Sequence, residues 1–382
     1  MVCTKRPLDR CSRRTAWTRI RAHRAARRAS ISFIAALLTL AMNPSTALGA
    51  TAGGNSRAAL RGPLIPGVGE RTVLYLDRSR TTFNYLTGAV TPGRRLINEI
   101  RYPSSERSVG ERADAPVLYR TAPYPVIVFA EGYRARPDLY AKLLDTWVRE
   151  GYVVVSPEFP DTTYPATDAA IDAGYPHGNP EDDLVNEPGD IAFVLSQLAR
   201  FTLRPRGLLH GLVNLNEVIL AGQSDGAALV GAYAFDMKYA LNRTPIRAVA
   251  IFAGYEISAD SARYEEPVSG VVPALIIQSA ADTCNEPELS VQMYNHIRGE
   301  KFFLRINGAT HLGPFDGSDI AGFDAVRNMS LRFFAHALTP ATVSAAAVLK
   351  AGRLSGIGVP SMAPSVASIP LPAGSPYCAP AY

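Results

Sequence analysis

Cysteine and histidine are scarce in this 382-residue chain, with four of the first and six of the second. Cys3 and Cys11 fall within the first 52 residues, which leaves Cys284 and Cys378 for the rest of the chain. Two cysteines allow one disulfide or two free thiols, and neither sits at a strand-to-helix turn where a thiolate nucleophile would be presented. Long apolar runs are missing too. The longest candidate, Ile31–Ala41, is too short to span a bilayer. There is no internal repeat and no glycine fingerprint of a dinucleotide site, so a nucleotide-dependent oxidoreductase is not indicated.

The excess of positive charge is confined to one end. The chain carries 39 Lys+Arg against 34 Asp+Glu, net +5, but ten of the basic residues and only Asp9 of the acidic ones lie in residues 1–52. Removing that stretch leaves 29 basic (39 less 10) and 33 acidic (34 less 1), so about −4. The basic character therefore gives no reason to expect nucleic acid as a partner. A basic segment, the apolar Ile31–Ala41 and Ala50-Thr51-Ala52 have the order of a signal peptide with its cleavage site, which predicts secretion to the cell envelope or beyond. Arg27-Arg28 raises twin-arginine export, but the residues that follow fit that motif poorly, so general secretion is expected. Residues 53–70 read as an extended Gly- and Pro-rich arm, and residues 339–382 as an Ala-, Pro- and Ser-rich tail. Between them lies one large domain, 71–338, expected to be a monomer with no stable membrane span.

Within that domain the texture changes along the chain. Thr72–Leu76 and Arg95–Tyr102, separated by Thr91-Pro92-Gly93, read as outer strands, the second alternating as an antiparallel strand would. Val126–Ala130, Val153–Val155, Val218–Leu220, Ala248–Phe252, Ala274–Ile277 and Phe302–Leu304 are continuous apolar runs with helical stretches between them. Strands buried on both faces and alternating with helices predict an α/β fold, a mostly parallel sheet of about eight strands with helices on both sides.

One stretch organises the rest. Asn216–Ala221 is a short apolar strand that runs into Gly222-Gln223-Ser224-Asp225-Gly226 and then into a helix, the context required of a G-x-S-x-G nucleophile elbow. A serine hydroxyl is a weak nucleophile at neutral pH and needs a base oriented by an acid. Asp282 follows the run Ala274–Ile277 and His311 follows Phe302–Ile306, each in a loop after a strand. Glu286 and Glu288 are rival acids, better read as the first turn of the next helix. His296 and His336 fall in helical stretches, His177 and His210 in loops, all with structural readings. The run Glu181-Asp182-Asp183 reads as a solvated loop rather than a calcium site.

The chain order Ser, Asp, His is that of the α/β-hydrolase triad. From about Leu96 to Leu338 the sequence resembles the serine α/β-hydrolases, most closely bacterial chlorophyllase-like and platelet-activating-factor-acetylhydrolase-like esterases, relatives of polyester hydrolases and cutinases. The resemblance implies hydrolysis of a small or polymeric carboxylic ester through an acyl-enzyme, with no metal or organic cofactor. It implies that the backbone N–H groups of Tyr133 and Asp225 form the oxyanion hole. Tyr133 and Tyr255 would wall the substrate cleft. Glu131 departs from the pattern, standing where these proteins usually have histidine. Tyr255 and Pro273 are separated by 17 residues, too few for an inserted cap domain, so an open site is expected. A disulfide between Cys284 and Cys378 would tie the tail to the loop carrying Asp282. Acyl transfer to an envelope alcohol, or a non-catalytic envelope-binding protein on the same scaffold, are the alternatives.

Overall fold

In a computed structural model the described residues are 66–236, 239, 245–257 and 272–372. The expected signal peptide, Cys378 and most of the segment between Tyr255 and Pro273 lie outside them.

The described chain forms a ten-stranded sheet in the order β10-β9-β8-β7-β6-β4-β5-β2-β1-β3. Its middle is parallel: β4 (Tyr124–Ala130), β5 (Val153–Glu158), β6 (Val213–Gln223), β7 (Ala248–Phe252), β8 (Ala274–Ser279) and β9 (Lys301–Ile306). A long hairpin, β1 (Gly67–Phe83) and β2 (Val90–Ser104), closes one side, with β2 antiparallel to β5. The α/β class is as expected, but ten strands are present rather than eight.

The two extra strands explain why they were not legible. β3 (Glu111–Ala113) is three exposed residues paired with β1, with no apolar pattern. β10 (Gly358–Ser361) contains Pro360 and lies antiparallel on β9, an edge position where the missing N–H of proline costs nothing. β10 also corrects the reading of the C-terminal segment. The stretch after Thr339 is not simply an extended tail; it holds a helix, Ala345–Gly352, capped by Ser344, and then β10. At the other end β1 begins inside the expected arm, at Gly67, with Val68 fully buried. The hairpin turns at Asn84–Ala89, where Gly88 N–H donates to the Asn84 carbonyl, and Thr91-Pro92-Gly93 lies within β2.

Alternation along the parallel strands divides the core in two. Val126, Val128 and Ala130 of β4 face one side, and Ile127 and Phe129 the other. On the first side pack α3 (Glu187–Thr202), through Ile191, Val194, Leu195 and Leu198, and α4 (Asp225–Phe235), which is buried throughout. On the second pack α1 (Ala141–Arg149) and α7 (Ile320–Leu338). Trp147 of α1 is fully buried against the rings of Phe129 and Phe334, and its indole N–H donates to Ser330 Oγ at 3.2 Å. Each such large apolar side chain removed from water contributes roughly 1.5–3 kcal/mol. This double-sided packing fixes the carboxyl ends of β4, β6, β7, β8 and β9 in one row, where an open α/β sheet carries its sites.

Candidate active site

Ser224 joins β6 to α4 with φ 57° and ψ −121°, a backbone conformation that non-glycine residues rarely adopt. Strain of this kind costs of order 1–3 kcal/mol and is held by its surroundings. Ser224 N–H donates to the Phe252 carbonyl at 2.9 Å, and the Ser224 carbonyl accepts from Ala227 and Ala228 at 3.0 Å. The flanking glycines leave room for the turn. A Cβ on Gly222 would stand 2.2 Å from the Gly226 carbonyl oxygen, and one on Gly226 would stand 2.2 Å from that of Ala130.

The three sequence-predicted residues come together across long separations. His311 Nε2 lies 2.9 Å from Ser224 Oγ, and His311 Nδ1 lies 2.8 Å from Asp282 Oδ2. Asp282 is fully buried, and its other oxygen accepts the backbone N–H groups of Cys284 at 2.9 Å and Asn285 at 3.0 Å. Gln278 Nε2 donates to Asp282 Oδ2 at 3.2 Å. An acid held by three donors has its geometry set before any substrate arrives. Single ligand atoms of Asp282, Cys284 and His311 lie within 4.8 Å of one another, the only such trio among the described residues. Both ring nitrogens of His311 are already engaged by Asp282 and Ser224, so the trio is better suited to proton transfer than to holding a metal.

The loop after β4 is pressed against the nucleophile. A Cβ on Gly132 would meet Ser224 Cβ at 3.1 Å and Gln223 Oε1 at 2.8 Å. Gly132 N–H donates to Tyr140 Oη at 3.2 Å and Arg134 N–H to the Thr162 carbonyl at 2.7 Å. Tyr133 N–H, between them, has no protein partner among the described residues, and neither has Asp225 N–H at the first position of α4. Two free donors flanking a serine are what an oxyanion requires.

Glu131 does not reach the site. It is buried behind the loop, where Thr163 Oγ1 donates to its Oε1 at 2.6 Å, while Oε2 has no partner among the described residues. Burial raises its carboxyl to about 8, so it is mostly neutral at pH 7. The two tyrosines expected as cleft walls are both half-buried. Tyr133 Oη donates to Asn179 Oδ1 at 3.1 Å, and Tyr255 Oη donates to Asp225 Oδ1 at 2.9 Å. Asp225 therefore brings a side chain to the site as well as an N–H. Of the acidic run, Asp183 is buried and holds Arg94 at 2.6 Å, so the solvated reading fails for that residue.

Sequence reasoning passed over three polar residues. Gln223 accepts from Tyr140 Oη at 2.8 Å and donates from Nε2 to the His311 carbonyl at 3.2 Å. Tyr140 links that amide to Gly132. Asn285 Nδ2 donates to the Ala253 carbonyl at 2.7 Å and stands 3.5 Å from Ser224 Oγ. The only available signal was that Gln223 fills the variable position before the serine.

No protein-family model matches the chain, and no curated protein matches it. Among solved structures it is similar to a ferulic acid esterase from Streptomyces cinnamoneus, with a TM-score of 0.53 and 16% sequence identity. The match covers 72% of this chain and 91% of that one. At that identity the likeness concerns the fold, an open α/β sheet covered by helices on both faces. Among the described residues no helix is long and apolar enough to cross a membrane.

Proposed function

We propose that the protein is a serine esterase, exported by its N-terminal signal peptide and cleaving a small-molecule or polymeric carboxylic ester. One observation carries the reading: the unbroken line Asp282–His311–Ser224, at 2.8 and 2.9 Å, near two backbone N–H groups with no partner among the described residues. The esterase named among similar structures supports the same reading at the level of ester hydrolysis. The elbow and the order Ser, Asp, His belong to the α/β-hydrolases at large; the narrower assignment to chlorophyllase-like and acetylhydrolase-like esterases rests on the resemblance of the sequence alone.

Ser224 Oγ attacks the ester carbonyl carbon while His311 Nε2 takes the hydroxyl proton, and Asp282 steadies the imidazolium and its tautomer. The carbonyl electron pair moves onto oxygen, held by Tyr133 and Asp225 N–H. His311 then returns the proton to the leaving alcohol oxygen, leaving an acyl-serine. Water, deprotonated by the same histidine, attacks the acyl carbon; the acid leaves and Ser224 recovers its proton. Each step uses a group on the chain or water. A disulfide between Cys284 and Cys378 belongs to the same reading. The C-terminal segment runs antiparallel to the helix Pro287–His296, from Ala363 at Tyr294 to Ser368 at Glu288, heading toward the loop of Cys284.

The test is turnover of a short-chain aryl ester by the purified protein and by Ser224→Ala, with a fluorophosphonate probe mapped by mass spectrometry. An acyl burst and a single adduct on Ser224 are expected. Equal inactivity of both proteins, with no labelling of Ser224 in a folded sample, would refute the esterase and favour the binding-protein alternative.

A further inference from the structure

Asp225 is an unusual neighbour for a nucleophilic serine. In the proposed reaction its N–H holds the negative charge that develops on the substrate, and its own side chain is an acid. That carboxyl is buried, only 5% exposed. Oδ1 accepts from Tyr255 Oη at 2.9 Å, and Oδ2 has no hydrogen-bond partner among the described residues. Among the described residues no cationic side chain pairs with it. Among the described residues the groups that act on it are acidic or phenolic: Glu181 on the 3₁₀ turn Pro180–Asn186, Glu187 at the start of α3, Tyr255 after β7, and Tyr133 of the loop after β4. Arg134, whose charge acts on Tyr133, is held by Asp168 at 2.6 Å. An isolated carboxylate in such a setting pays the full cost of leaving water, and a neutral acid does not.

We propose that Asp225 works as a neutral carboxylic acid, and that loss of its proton weakens the oxyanion site and closes down turnover on the alkaline side. The inference rests on the serine-esterase reading. A negative charge one residue's breadth from the developing oxyanion opposes it through a medium of low dielectric. At the effective dielectric of a protein interior that opposition is worth on the order of a hundredfold in rate. Burial, then the charge of Glu181, push Asp225 up to about 7, against the pull of the Tyr255 hydrogen bond, so the change falls near neutral pH. Asp225 is thus a positioning residue for the electrostatics of the site; it does not touch substrate through its side chain.

The neighbours give the proposal opposed consequences. Tyr255 stabilises the carboxylate by donating to it, so Tyr255→Phe lifts the pH at which Asp225 ionises. Glu181 destabilises the carboxylate by repulsion, so Glu181→Gln lowers that pH. A role in packing alone would not move an alkaline limb in opposite directions.

The experiment is kcat/KM for an uncharged aryl ester between pH 5 and 10 on the full chain, with fluorophosphonate labelling of Ser224 at each pH. For the wild type, activity is expected to fall at least tenfold as the pH climbs past about 7. Asp225→Asn keeps the N–H and removes the alkaline fall. Tyr255→Phe shifts the fall to higher pH, and Glu181→Gln shifts it to lower pH. If the Asn variant does not fold, the opposed shifts of the other two decide. Glu131→Gln is the control, because Glu131 is also buried and titrates near 8; the fall near pH 7 should survive it. An alkaline fall that is absent, unchanged in Asp225→Asn, or removed by Glu131→Gln overturns the inference while Ser224 labelling leaves the esterase reading standing. Absence of labelling at every pH removes both.

Discussion

Gln223 and His311, 88 residues apart, are joined by a hydrogen bond from the Gln223 side-chain amide to the His311 backbone carbonyl at 3.2 Å. The same amide accepts from Tyr140 Oη, which accepts in turn from Gly132 N–H. The residue before Ser224 therefore spans from the loop of His311 to the loop that carries Gly132 and Tyr133. Gln223→Leu keeps the volume and cuts both links. Misplacing a reacting group by about 1 Å can cost on the order of a hundredfold. The expected outcome is a fall in kcat of roughly ten- to a hundredfold with KM little changed, and slower labelling of Ser224. Steady-state kinetics check the split; an unchanged kcat in a folded variant would show that Gln223 only fills space.

Gly226→Ala tests how tightly the elbow is built. The added Cβ would stand 2.2 Å from the Ala130 carbonyl oxygen and 2.5 Å from that of Glu131, both backbone atoms that cannot swing aside. Overpacking of this kind typically costs about 1–3 kcal/mol, and displacement of the loop after β4 also moves Tyr133 N–H. The variant should unfold at lower urea and lose esterase activity by more than its loss of stability explains. Gly110→Ala, where a Cβ meets nothing within 4 Å, is the matched control and should leave the urea midpoint unmoved.

The elbow could be read from sequence because its parts are local: an apolar strand, small residues at two fixed places and a helix start. Asp282 and His311 were legible for a similar reason, each trailing an apolar run that had to be a strand of the same sheet. What eluded the sequence depends on distant partners. Nothing near Glu131 says that Thr163 will cover it, and nothing near Asp183 says that Arg94 will meet it 89 residues away. Short edge strands escaped for another reason. β3 and β10 bury too little to leave an apolar signature, and pairing with an existing edge is enough to hold them.

Glu131 predicts how stability depends on pH. Its carboxyl rises from an ordinary 4.5 to about 8 because it is buried. Between those values the folded chain keeps a proton that the unfolded chain has released, so the folded state binds more protons. The contribution is therefore full below about pH 4.5 and is lost as the pH rises through about 8. It amounts to a few kcal/mol, on the order of 1.4 per pH unit in that window. Glu131→Gln replaces the neutral acid by a neutral amide of the same shape. The measured fall in melting temperature between pH 5 and 8 should be shallower in the variant, though not abolished, because Glu187 is buried and raised in the same direction. Parallel curves for the two proteins would show that Glu131 is not neutral in the folded state.

Arg94 carries the last prediction. It is 2% exposed in β2 and holds two buried acids at once, Asp183 Oδ2 and Asp190 Oδ2, each 2.6 Å from Nη2. Nη1 donates to Asp183 and Nε to Asp190, so the planar guanidinium is saturated on both sides. Arg80 joins Asp190 to Asp77 of β1, and the whole cluster fastens the β1/β2 hairpin to the turn Pro180–Asn186 and to α3. Arg94→Met leaves two buried carboxylates facing each other with Arg80 alone to compensate. Breaking a buried pair by removing one partner costs about 3–5 kcal/mol, chiefly because the remaining charge is stranded. Urea unfolding at pH 7 should register that loss. The deficit relative to wild type should shrink toward pH 4, because without the guanidinium that lowers it the buried Asp190 carboxyl takes up a proton more readily. A deficit below about 1 kcal/mol, the range of an exposed pair, or one that does not change with pH, would mean that the hairpin is held by its apolar contacts and not by this cluster.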